Sequence, residues 1–156
     1  MDDSATENVT AKGNPEETFV EFTKFEIVSP EHPAGAVSID FLKPDKDGVI
    51  QTVPVKIKEG CTVGFRVTMK VYNDTVLGLD FRGDLKYKDM KSVQSWDMRL
   101  GSYAPLKTEH VVKFVEMKMP SGYFFRTNYT GTGQFVDSED RVHMMFRFTL
   151  NCDKDW

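Results

Sequence analysis

The chain is poor in the residues that build reactive centres. Its 156 residues include two cysteines, Cys61 and Cys152, and three histidines, His32, His110 and His143. No Cys-x-x-Cys or His-x-x-x-His spacing gathers a metal, and no Gly-x-Ser-x-Gly presents a nucleophile. Asp45-Lys46-Asp47-Gly48 looks like the middle of a calcium loop. With Gly48 as the sixth loop residue, however, the first ligand position falls on Lys43 and the twelfth on Pro54, and neither supplies a carboxylate. A turn fits better. No spacing singles out a carboxylate pair for glycoside hydrolysis. These absences point away from an enzyme and from a resident metal or cofactor.

Positive charge is also scarce. The 20 Lys and Arg residues against 24 Asp and Glu give a formal net charge of −4, and no basic stripe offers to hold a phosphate backbone. A nucleic-acid partner is therefore not expected, and a basic partner fits better. No run reaches the roughly 20 consecutive apolar residues of a membrane span. The opening MDDSATENVTAKG is acidic and polar, where a secretory leader is basic and then apolar. A cytoplasmic chain without stable membrane insertion is expected, with both cysteines as reduced core thiols.

What the chain has in abundance is a period of two. From Thr62 to Tyr72, the residues Val63, Phe65, Val67, Met69 and Val71 share one face, while Arg66, Thr68 and Lys70 lie on the other. Val37–Phe41 alternates in the same way, as do Val53, Val55 and Ile57, then Trp96, Met98 and Leu100, and finally Val142 through Cys152. Less regular apolar runs cover 18–28, 77–87, 110–119 and 123–130. Between the runs lie PEHPAG, KPDKDG, KEG, YND, GSYAP, MPSG and DSED, which supply the Gly, Pro, Asn and Asp that turns require. About nine short strands without sustained helical periodicity predict an all-β, immunoglobulin-like antiparallel β-sandwich. The antibody-type Cys…Trp…Cys spacing is missing. Residues 1–17, polar and acidic, read as a short flexible arm. Residues 18–156 then form the sandwich, with material for one core.

The order of segments carries a resemblance. IKEGCTVGFRVTMKVYNDTVLGLDF (Ile57–Phe81), LGSYAP (Leu100–Pro105), PSGYFFRTNYTGTGQFVDSED (Pro120–Asp140) and the closing KDW (Lys154–Trp156) resemble the Rho GDP-dissociation inhibitor family in sequence, order and separation. The resemblance implies a sandwich whose sheets part at one end to hold the geranylgeranyl tail of a prenylated Rho- or Rac-type small GTPase, extracting it from membranes or keeping it off them. By matched position it implies prenyl-binding roles for Val67, Met69, Leu77, Leu79, Gly131, Phe146, Phe148 and Leu150. It implies GTPase-contacting roles at the pocket mouth for Glu116, Asp137, Glu139 and Asp140, which would face the basic residues beside a lipidated cysteine. Family members commonly place tryptophans where this chain has Phe146 and Phe148, and a branched apolar residue in place of Gly131, so a roomier pocket is expected. The family's regulatory arm, which slows nucleotide release, has only residues 1–17 as its counterpart, so weakened inhibition of GDP release is expected. Inward residues of any sandwich would present the same stripe. A chaperone for other prenylated or acylated proteins therefore stays open, as does an adaptor or carbohydrate-binding sandwich with a solid core.

Overall fold

Alternating burial builds the strands where the period of two is cleanest. In a computed structural model that describes residues 19–156, Val63, Phe65, Val67, Met69 and Val71 are all buried. The arm expected over residues 1–17 lies outside the described residues. Among the latter there are eleven strands, one 3-10 turn (Tyr123–Phe125) and no α-helix. The strands are β1 (Phe19–Val28), β2 (Ala36–Ser38), β3 (Phe41–Pro44), β4 (Ile50–Thr52), β5 (Val55–Lys58), β6 (Thr62–Tyr72), β7 (Val76–Tyr87), β8 (Lys91–Tyr103), β9 (His110–Lys118), β10 (Asn128–Val136) and β11 (Val142–Asp153). The smaller sheet runs β2-β1-β6-β9, and the larger runs β3-β4-β11-β10-β7-β8, with β5 also paired to β11. Facing each other, the sheets form the expected all-β sandwich.

Local chemistry explains where the strands depart from expectation. Val37–Phe41 is not one strand but a crossing between sheets. Ile39 donates its N–H to the Phe25 carbonyl of the smaller sheet at 2.8 Å, while the Asp40 carbonyl accepts from Val53 N on the larger side at 2.9 Å. Pro54 has no N–H to give a ladder, and it separates β4 from β5. Both lie parallel to β11, pairing Ile50 with Phe146 and Val55 with Leu150, so the larger sheet is mixed rather than wholly antiparallel. Gly101, Ser102 and Tyr103, expected in a turn, lie within β8. Tyr123–Phe125, expected in a strand, form the 3-10 turn instead. The suspected calcium loop is a turn, with Asp45 Oδ1 accepting from the N–H groups of Asp47 at 2.8 Å and Val49 at 3.0 Å.

Between the sheets the core is aromatic. Phe25 meets Phe146 with ring centroids 4.9 Å apart, Phe65 meets Phe148 at 5.5 Å, and Phe81 meets Phe114 at 4.9 Å. Tilted and edge-on pairs of this kind add about 0.5–1.5 kcal/mol each beyond their buried area. Two glycines make room for the rings. Gly131 pairs across the strands with Phe148, and Gly133 with Phe146. A β-carbon at Gly131 would overlap the Phe148 ring, and one at Gly133 would lie 2.9 Å from that of Phe146. Cys61 and Cys152 are free and buried. Burial raises both thiols, Cys152 to about 11, so they stay neutral and act as small apolar groups.

Candidate binding cleft

One end of the sandwich is open. A cleft of about 620 Å³ lies there with walls from both sheets: Leu85 and Tyr87 of β7 and Val93 of β8 on one side, Met117 of β9 with Met119 on the other. Tyr129, at the start of β10, forms part of the floor, and Phe124 and Phe125 of the 3-10 turn form part of the rim.

Sequence irregularities aim these side chains. β9 would present Glu116 and Lys118 inward if the phase set by Val112 and Phe114 continued. A bulge at Val115, with φ of +61° and a register shift opposite Gly64 and Phe65, reverses that phase. Phe114 and Val115 are both buried as a result, and Met117 and Met119 turn inward. Gly64 lets the bulge approach, since a β-carbon there would meet the Val115 carbonyl at 3.1 Å. At Gly122, φ is +114°, a conformation that favours glycine, and the chain lifts into the 3-10 turn.

That turn is pinned from several sides. Glu59 accepts the Gly122 N–H at 2.6 Å and pairs with Arg126 at 3.0 Å. Arg126, then the Gly122 amide, hold the Glu59 carboxyl below its ordinary pKa. The hydroxyls of Tyr87 and Tyr129 donate to the carbonyls of Phe124 at 2.7 Å and Phe125 at 3.0 Å. Burial pushes the Tyr129 phenol up to about 12, so it remains a donor.

The residues expected to bind prenyl do not line this cleft. Val67, Met69, Leu79, Phe146, Phe148 and Leu150 face the interior, each at most 1% exposed. Gly131 pairs with Leu85, and Leu150 with Tyr129, which places Gly131, Phe148 and Leu150 directly behind the cleft floor. Met69, opposite His110, and Leu79, opposite Gly101, lie toward the other end of the sandwich. Leu77 points outward and is 51% exposed. Irregular pairing between Val76 and Leu79, with Gly78 at φ +60°, turns Val76 and Leu79 inward instead. The room expected beside Gly131 is filled by the Phe148 ring.

The acidic residues also sit elsewhere than at this mouth. Asp137, Glu139 and Asp140 occupy the β10–β11 turn, roughly 26 Å of strand from Tyr129 at about 3.3 Å per residue. Asp137 is buried and already occupied: it accepts from Arg141 Nε at 2.9 Å, from the N–H groups of Glu139 at 2.9 Å and Arg141 at 3.0 Å, and contacts His143 Nε2 at 2.9 Å. Burial pushes this carboxyl up, but His143, the two amides and the Arg141 charge outweigh it, and its pKa is lowered. Glu116 lies at the cleft's end of the molecule but on the outer face of β9. The charged residues lining the cleft are Lys91 and Lys118, so its rim is basic rather than acidic. Leu85, Tyr87, Met117, Met119, Phe125 and Tyr129 had no place in the expected site. The signal for them was Tyr-Phe-Phe directly after MPSG, aromatic side chains set on a turn.

Among the described residues no helix is long and apolar enough to cross a membrane, and no group of three His, Cys, Asp or Glu side chains could hold a metal ion. Fold and cleft together define an immunoglobulin-like β-sandwich with one apolar, open end. The family model described as RHO protein GDP dissociation inhibitor matches residues 4–155, and the chain belongs to that family. The chain is 32% identical over 102 residues to the Rho GDP-dissociation inhibitor of Saccharomyces cerevisiae, covering 64% of this chain and 50% of the relative. It is 25% identical to Rho GDP-dissociation inhibitor 1 of Arabidopsis thaliana, covering 96% of this chain and 60% of the relative. The human Rho GDP-dissociation inhibitor 1 is also 25% identical, over 64% of this chain and 48% of the relative. The chain thus spans about half the length of the curated relatives it matches.

Proposed function

We propose that the chain is a non-enzymatic, cytoplasmic regulator of Rho-type small GTPases that holds the geranylgeranyl tail of the prenylated GTPase in this cleft and so keeps the protein off membranes. One observation carries the reading: in a member of this family, the open end of the sandwich has an apolar cleft of about 620 Å³ walled by both sheets. Clefts that bury small molecules run from about 300 to 1,000 Å³ and are mostly apolar with a few polar groups. A twenty-carbon tail gains on the order of 10 kcal/mol gross, at about 0.8 kcal/mol per buried methylene.

In this reading Met117, Val93 and Phe125 receive the tail, and Leu85, Met119 and Tyr129 form its bed. Gly131, Phe148 and Leu150 stand behind that bed. Glu116 is the acidic residue best placed to meet the GTPase beside the cleft. Holding the tail does not distinguish GDP-bound from GTP-bound switch loops, and a ligand shifts an equilibrium only by its differential affinity. The sandwich alone therefore slows GDP release weakly.

The test compares one Rho-type GTPase with and without its prenyl group. The prenylated form is expected to bind at least about tenfold more tightly, a difference of about 1.4 kcal/mol. Equal affinities would remove the reading. Equal binding of acylated and prenylated peptides would widen it to a general chaperone of lipidated proteins.

A further inference from the structure

The rim of the cleft carries apolar surface that the core does not use. Tyr123 and Phe124 are 77% and 78% exposed, and Met90, in the β7–β8 hairpin, is 72% exposed. Tyr123 and Phe124 pack on each other with rings 5.5 Å apart. Their backbone is fixed by the hydroxyls of Tyr87 and Tyr129 and by the Glu59 carboxylate, so the aromatics are held out by a braced turn. Met90 projects from a hairpin in which Lys88 and Asp89 both have positive φ, and its N–H bonds the Tyr87 carbonyl at 3.0 Å.

Charge around this rim runs against the net charge of the chain. Lys88 and Lys91 flank Met90, and Lys91 and Lys118 line the cleft. Two acids at this end are already engaged: Asp89 accepts from Thr130 Oγ1 on the outer face of the larger sheet at 3.1 Å, and Glu59 is held by Arg126; Glu116 points to the outer face of β9. Exposed aromatics and a methionine bordered by lysines are what a protein presents to an anionic bilayer, where amphipathic rings sit at the headgroup level and basic side chains meet acidic lipids.

We propose that this end docks on an anionic bilayer, with Met90, Tyr123 and Phe124 inserted among the headgroups. The cleft then opens toward the acyl chains, and a prenyl group passes from bilayer to cleft without crossing water. The hand-over rests on the cleft being the prenyl site, but docking itself does not require a GTPase.

The test uses the full chain without GTPase, sedimented with vesicles of phosphatidylcholine alone or with added phosphatidylserine, beside a double variant Met90→Ser/Tyr123→Ser. Neither residue lines the cleft, so the affinity for a soluble prenylated peptide is expected to stay within about twofold. Binding to the phosphatidylserine vesicles is expected to exceed binding to phosphatidylcholine and to fall about tenfold in the variant. Absent vesicle binding, or equal binding by variant and parent, would overturn the proposal. So would a variant that loses a soluble prenylated GTPase as strongly as it loses vesicles, since the patch would then grip the GTPase body. Failure of the parent to bind prenylated peptide would sink the cleft reading, and the hand-over with it, whatever the vesicle arm gives.

Discussion

Gly131→Val tests the contact that closes the interior behind the cleft. A β-carbon at Gly131 overlaps the Phe148 ring. That ring cannot swing aside freely, because Phe25, Phe65 and Phe146 surround it with centroids 6.5, 5.5 and 5.8 Å away. Overpacking of a filled core costs roughly 1–3 kcal/mol, and the enclosure of the ring puts this site at the upper end, about 3 kcal/mol. At about 2–4 °C per kcal/mol for a protein of this size, Tm should fall by roughly 6–12 °C. Phe148→Ala opens a cavity instead and should cost about 3–5 kcal/mol. In the double variant the valine enters space the ring has left, so the two losses should not add. A coupling of at least about 2 kcal/mol is expected. Urea unfolding followed by tryptophan fluorescence measures it, since Trp96 packs 5.5 Å from Phe65 within the same cluster. Additivity within about 0.5 kcal/mol would refute the packing argument.

Met117→Lys places a charge on the cleft wall at a half-buried site, so prenylated-peptide affinity by fluorescence titration should fall at least about tenfold, with Tm changed by only a few degrees. Asp137→Asn should cost about 1–3 kcal/mol at neutral pH by unpairing a buried hydrogen-bonded cluster. Because the Asp137 pKa is lowered in the folded state, its contribution is complete above its ordinary value near 3.8 and is lost as pH falls through the lowered one. Acid titration of stability should therefore be flatter below about pH 5 in the variant than in the parent. GDP dissociation from a prenylated Rho-type GTPase should be only weakly slowed by a saturating amount of residues 18–156. Complete inhibition by that fragment would show that the sandwich itself grips the switch loops.

Strand content was legible wherever alternation ran unbroken. β6 could be read residue by residue, because one face is buried along its length, and so could β11 from Phe146 to Cys152, whereas Val142 at its start is half exposed. The errors fall where one residue alters the phase. Ile39 and Asp40 bond to opposite sheets, which no pattern over five residues reveals. Gly78 and Val115 each shift a register, moving Leu77 out and Met117 in. The cleft was missed for this reason: its β9 wall is apolar only after a bulge, and its rim is an aromatic triplet that reads equally well as a strand. Asp137 shows the limit for charge. Three acids in one turn read as a solvated mouth, yet Arg141 and His143, a few residues further along the chain, fold back and bury one of them.

The parallel placement of β4 and β5 against β11 has a consequence for how the chain acquires its shape. Thr52 Oγ1 donates to the Arg147 carbonyl at 3.0 Å across 95 positions of sequence. β5, four residues directly after a proline, has no local partner strand, and β4 has only the short β3 beside it, so both wait for their parallel partner until a segment nearly a hundred residues later arrives. Closing loops of that length before any reward in contacts makes such a topology slow to form. During the wait the open edge of β10 and the Met144, Phe146, Phe148 and Leu150 stripe of β11 are the most adhesive surfaces in the chain. The side chains that give the finished sandwich its dense interior are thus the ones that expose the nascent protein to self-association, and yield from concentrated refolding is where disturbance of the β4–β11 ladder is felt first.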